Sequence, residues 1–141
     1  MRSRTIGLMA VSALALAGCG STSSGATTPR PPAPVNLTVY IDNSSVSVSP
    51  SSVGSGPVTF IITNQASQAQ SLSVLPAGGQ ALANTGPINP QATAQVTVNF
   101  SSQGNYSLST GGDAGGGSSI KAASIHVGPP RASSDGQVLQ P

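Results

Sequence analysis

Between Val35 and Gly128, apolar residues recur at every second position in short runs, the period of a strand with one face in a core and one in water. Val35, Leu37, Val39 and Ile41 alternate with Asn36, Thr38 and Tyr40, and Val46 and Val48 alternate with serines. Val58, Phe60 and Ile62 follow a turn at Gly54-Ser55-Gly56-Pro57, and the period continues at Leu72 and Val74 and from Ala94 through Val96 and Val98 to Phe100. Tyr106 and Leu108, then Ala123, Ile125 and Val127, complete about seven strands, and no helical period competes with them. Short strands separated by Gly, Pro and Asn predict an all-β chain whose body, residues 35–128, is an antiparallel Greek-key sandwich of two sheets.

The flanks have a different character. Residues 1–18 combine Arg2 and Arg4 with an apolar run from Ile6 to Ala17, the layout of an export signal. The run is too short to span a bilayer comfortably, and it ends in Leu16-Ala17-Gly18-Cys19, which resembles the lipobox of bacterial lipoproteins. That resemblance implies cleavage before Cys19, acylation of its thiol and a lipid-anchored protein on the extracytoplasmic face of the cell membrane, where two or three acyl chains hold far more firmly than one. An ordinary secretory signal cut after Ala17, or an uncleaved helix, are the alternatives; neither accounts for the cysteine. Residues 19–34 are, after the lipidated position, Ser, Thr, Gly, Ala and Pro apart from Arg30, a flexible tether reaching roughly 50 Å when extended. Residues 129–141 read as a polar, disordered tail.

Charge changes the picture by its scarcity. Only 6% of residues are charged, and the net charge of +2 rests on Arg2 and Arg4 in the export signal. The remainder sets Arg30, Lys121 and Arg131 against Asp42, Asp113 and Asp135, with no basic cluster to neutralise phosphates, so nucleic acid is excluded as a partner. Cys19 is the single cysteine, so the body folds without disulfides. With two Phe, two Tyr and no Trp, its core rests on Val, Ile and Leu.

Val53-Gly54, Pro57-Val58-Thr59-Phe60, the strand-ending Thr63-Asn64, Pro87-Ile88-Asn89-Pro90 and Gly104-Asn105-Tyr106 together resemble the cupredoxin family. An immunoglobulin-like sandwich is the other assignment these motifs allow, and in either one Tyr106 would anchor a corner through its hydroxyl. The resemblance implies copper held by two His, a Cys and a weak axial Met. By the family's spacing those positions hold Gln70, Thr110, Asp113 and Ser118, so no copper, no other cofactor and no electron transfer are expected.

The remaining chemistry is sparse. His126, between Ile125 and Val127, falls on the outer face of the last strand and reads as a solvated imidazole without metal-ligating neighbours in sequence. The chain has no Glu, and a Ser-His-Asp arrangement using Asp42 or Asp113 has no distinguishing serine, so an enzyme is not expected. The run from Gly111 to Gly117 lacks the helix and lysine of a phosphate-binding loop. These readings point to a metal-free interaction module that meets an envelope protein or polymer through its loops or an exposed sheet face; at the loop end the contact surface would be formed near Gln70, 84–90 and 110–119. The alternative is a passive structural surface lipoprotein.

Overall fold

The computed structural model describes residues 31–111 and 119–133, and among them it is all-β. Cys19, the export signal, most of the tether, Asp113, Ser118 and residues 134–141 lie outside the described residues. The strands are β1 (Val35–Ile41), β2 (Val46–Ser49), β3 (Ser52–Asn64), β4 (Leu72–Pro76), β5 (Ala83–Asn84), β6 (Thr93–Phe100), β7 (Gly104–Thr110) and β8 (Ala123–Pro130). One sheet runs β2-β1-β3-β6 and the other β3-β8-β7-β4-β5, so β3 belongs to both.

Three expectations are corrected, two of them by that sharing. The segment Gly54-Ser55-Gly56-Pro57 is no interruption between strands; it is a bend inside the continuous β3, with a register shift between Gly54 and Ser55 and Gly56 at φ 124°. Before the bend β3 pairs with β8; after it, with β1 and β6. The pairings with β1 and β8 are parallel, so the sandwich is mixed where a purely antiparallel one was expected. Alternation records which residues face inward and carries no sign of strand direction. The third difference is β5, whose two residues are too few to show a period; it makes eight strands of the expected seven.

The inward positions form one core. Leu37, Val39, Ile41, Val58, Phe60, Ile62, Leu72, Val74, Leu108, Ile125 and Val127 are all buried, as their alternation predicts. Phe60 meets Phe100 edge-on with centroids 6.2 Å apart, and Phe100 lies against Tyr106 at 4.6 Å, so three of the four aromatic rings form one stack. The Tyr106 hydroxyl donates to the Ser102 carbonyl at 2.9 Å, the corner anchor that the sequence suggested. Ala66, Ile88 and Ile120, all outside regular strands, are also buried.

The two poles of the sandwich differ. The β1–β2, β3–β4, β5–β6 and β7–β8 connections gather at one pole, as the strand directions require. At the other, β8 continues through Pro130, two residues past Gly128, and Arg131 is held at the bend of β3. Its Nε and backbone N–H donate to the Ser55 carbonyl at 3.4 and 3.3 Å, Nη1 to Ala33 at 2.7 Å, and Nη2 to Pro57. A Cβ on Gly54 would stand 2.6 Å from the Arg131 Cγ, and one on Gly56 would stand 2.8 Å from Pro32. Both glycines therefore make room where the segment before β1 and the residues after β8 meet.

Candidate functional site

The loop pole begins where β1 ends. Asp42 is followed by Asn43, Ser44 and Ser45, the composition of an Asx turn. Its carboxylate accepts from the Ser44 N–H at 2.6 Å, the Ser44 hydroxyl at 2.7 Å, the Ser45 N–H at 2.8 Å and the Ser45 hydroxyl at 3.2 Å. These bonds, those from Ser44 foremost, hold its pKa down at about 2. The adjacent Asn43 side chain accepts from the Ser67 N–H at 2.8 Å and hydroxyl at 3.0 Å, tying the β1–β2 loop to the β3–β4 loop. The far side of the same turn is fixed by Lys121, whose backbone bonds to Ser44 and Val46 at 2.8 Å each.

Asn64, the last residue of β3, organises the centre of this pole. Fully buried, it donates through Nδ2 to the carbonyls of Gln68 at 2.9 Å and Ile88 at 2.8 Å, and accepts at Oδ1 from the Ala66 N–H at 2.9 Å. Its backbone bonds to Ala92 and Gln91 at 3.0 and 2.7 Å. Gln91 sits at φ 65°, a left-handed conformation that costs a non-glycine residue about 1 kcal/mol or more and is held by these bonds. One amide thus fixes the relative positions of two loops.

Two of the four positions where the family resemblance would put copper ligands are described. Gln70 exchanges backbone hydrogen bonds with Ile88 at 2.8 and 3.0 Å, and Thr110 is buried at the end of β7, opposite Leu72. The sequence brings them to one end of one sheet, but an amide and a hydroxyl are hard oxygen donors. They do not fit a centre that needs thiolate, thioether and imidazole. Asp113 and Ser118 fall outside the described residues. No group of three or more His, Cys, Asp or Glu able to hold a metal occurs among the described residues. His126 is far from this pole in register, exposed on the outer face between Ser52 and Asn105, with Nδ1 3.1 Å from the Asn105 Oδ1.

Sequence reasoning missed Arg131 and the reach of Asn64. The Asp42 turn was missed as well, although a polar cluster after an apolar run signals it, whereas Arg131 gave no signal because its partners are backbone carbonyls far away in sequence. Every buried side-chain nitrogen and oxygen among the described residues has a hydrogen-bond partner.

No protein-family model matches the sequence, and no curated protein matches it. Among solved structures, the chain is similar to auracyanin from the photosynthetic bacterium Roseiflexus castenholzii, at 11% identity and a TM-score of 0.48, over 68% of this chain and 97% of that one. It is also similar to auracyanin A, a blue copper protein from Chloroflexus aurantiacus, at 15% identity and a TM-score of 0.46, over 67% of this chain and 99% of that one. No described helix is long and apolar enough to cross a membrane.

Proposed function

We propose that this chain is a lipid-anchored envelope protein whose cupredoxin-like sandwich works without metal, as an interaction module that presents its loop pole to a protein or polymer partner. The observation that carries the reading is polarity of attachment. Pro32 and Ala33, near the end of the tether, lie beside Arg131 and the β3 bend, at the pole opposite the loops. A domain hung from Cys19 by that tether turns the loops of Asp42–Ser45, Ser67–Gln70 and Ile88–Gln91 away from the membrane. Those loops are held by internal hydrogen bonds, so a partner would meet a surface that needs little ordering on binding. The lipobox-like Leu16-Ala17-Gly18-Cys19 supports the anchor.

Photo-cross-linking on intact cells tests it. A photoreactive residue is placed at Gln68 or Asn89 on the loop pole, or at Ser101 on the opposite pole, in chains with and without Cys19→Ala. The expected result is one discrete adduct from the loop positions alone, lost when Cys19→Ala releases the chain from the membrane. Equal labelling from both poles, or none, would overturn the interaction role, and a Cys19→Ala chain that stays with the membrane would overturn the anchor.

A further inference from the structure

The sheet edges are unequally protected. β5 is an edge of only two residues, and β2 is an edge of four that runs straight into Pro50. Short length and proline are common ways of preventing an edge from recruiting another strand. β6 has neither. Its eight residues, Thr-Ala-Gln-Val-Thr-Val-Asn-Phe, include no charge, no proline and no glycine, and among the described residues β3 is its single ladder partner.

The hydrogen-bonding direction of each residue along β6 follows from β3. Asn64 N–H donates to the Ala92 carbonyl at 3.0 Å, so the residues in phase with Ala92, namely Ala94, Val96 and Val98, turn their backbone groups toward β3. Pro57, which has no N–H to give, stands opposite Asn99 in the other phase, consistent with that assignment. Thr93, Gln95, Thr97 and Asn99 therefore direct their N–H and C=O groups out of the free edge. Their side chains lie on the exposed face, where Thr97 meets Thr59 at 3.0 Å and Thr93 meets Thr63 at 3.1 Å.

We propose that β6 pairs antiparallel with β6 of a second copy of this chain, joining the two β2-β1-β3-β6 sheets into one. The strand is self-complementary in a single register. With Val96 on the two-fold axis, Gln95 of each copy stands opposite Thr97 of the other and Thr93 opposite Asn99. All four outward-directed residues then pair, and amide meets hydroxyl across the exposed face. On the inner face, Val96 meets its own copy and Ala94 meets Val98. That covers Ala94 and Val96, which are only partly buried although they pack on the core. Nothing charged lies along the strand to repel its own copy, and this favours a second chain over a charged peptide as the occupant.

Cysteine scanning of the full chain tests the register. In the proposed pairing the two Val96 residues form a close, non-hydrogen-bonded pair whose spacing suits a disulfide, whereas the two Thr97 residues are offset along the strands. Val96→Cys should give a reducible dimer under mild oxidation, and Thr97→Cys should give at least about tenfold less. In the unsubstituted chain, the amides of Thr93, Gln95, Thr97 and Asn99 should exchange at least about tenfold more slowly at high than at low protein concentration. Thr97→Pro removes an N–H that β3 does not use and should abolish that concentration dependence; Gln95→Lys should do the same through like charges, relieved by salt. Edge amides that exchange fast at every concentration, or equal cross-linking from Val96→Cys and Thr97→Cys, would overturn the proposal.

Discussion

Phe60 is the most informative single side chain to remove. It has no exposed surface, and it meets Phe100, which in turn lies on Tyr106, so its ring stabilises both of its neighbours. Truncating a buried Phe to Ala costs about 3 to 5 kcal/mol. The edge-on contact with Phe100, worth roughly 0.5 to 1.5 kcal/mol, and the rigidity of the surrounding strands favour the upper half of that range. A domain of this size has about 5 to 15 kcal/mol in total, so Phe60→Ala removes a large fraction of it. Urea unfolding followed by circular dichroism is the assay. With an m value of about 2 kcal/mol per M, a loss of 4 kcal/mol moves the midpoint down by about 2 M at unchanged slope. Phe60→Leu keeps much of the volume and should lose roughly half as much. A Phe60→Ala loss under about 1 kcal/mol at constant slope would refute the view that the aromatic stack is the centre of the core.

Asn64→Ala should cost about 3 kcal/mol, because it strips the Gln68 carbonyl and the Ala66 N–H of their Asn64 partner and leaves the Ile88 carbonyl with the Gln70 N–H alone; thermal melts and exchange at the 65–71 and 85–92 loops would show it. Arg131→Ala should free residues 31–34 to proteases while the Tyr106 corner stays protected, which mass mapping of limited digests would detect. Asp42 has a folded pKa of about 2, below its ordinary 3.8, so its contribution is fully present above about pH 4 and is lost as pH falls through 2. An Asp42→Asn chain should therefore show a shallower fall in stability between pH 4 and pH 2 than the parent.

The strands were legible because their alternation is a direct consequence of burial. Leu37, Val39 and Ile41 point inward for the same reason that Asn36 and Tyr40 point outward, and the sequence carries both halves of that statement. Pairing direction and the continuity of β3 were not legible, since Gly54 and Gly56 suit a turn and a bend equally well. At the loop pole, Gln70 and Thr110 were singled out only by the spacing of the family resemblance; the fold sets Thr110 opposite Leu72 at the end of β7 and Gln70 opposite Ile88 in a bridge outside the named strands. The governing contacts there run from Asn64 and Asn43 to backbone groups up to 24 residues away, and such contacts leave no periodic trace in the sequence.

The Arg131 clamp also bears on how the molecule takes a load. A pull entering through the segment before Val35 does not reach the core first; it meets the Nη1 bond to Ala33, a single contact that peels. Only when that has opened does tension pass into β1, which is laced along its full length to a parallel β3 on one side and from Thr38 to Ile41 to β2 on the other. Bonds in such a ladder share the load in shear. The clamp is a weak link placed ahead of a strong one, so in the anchored arrangement proposed above a pull on the head would open a contact that can re-form before it draws out any strand.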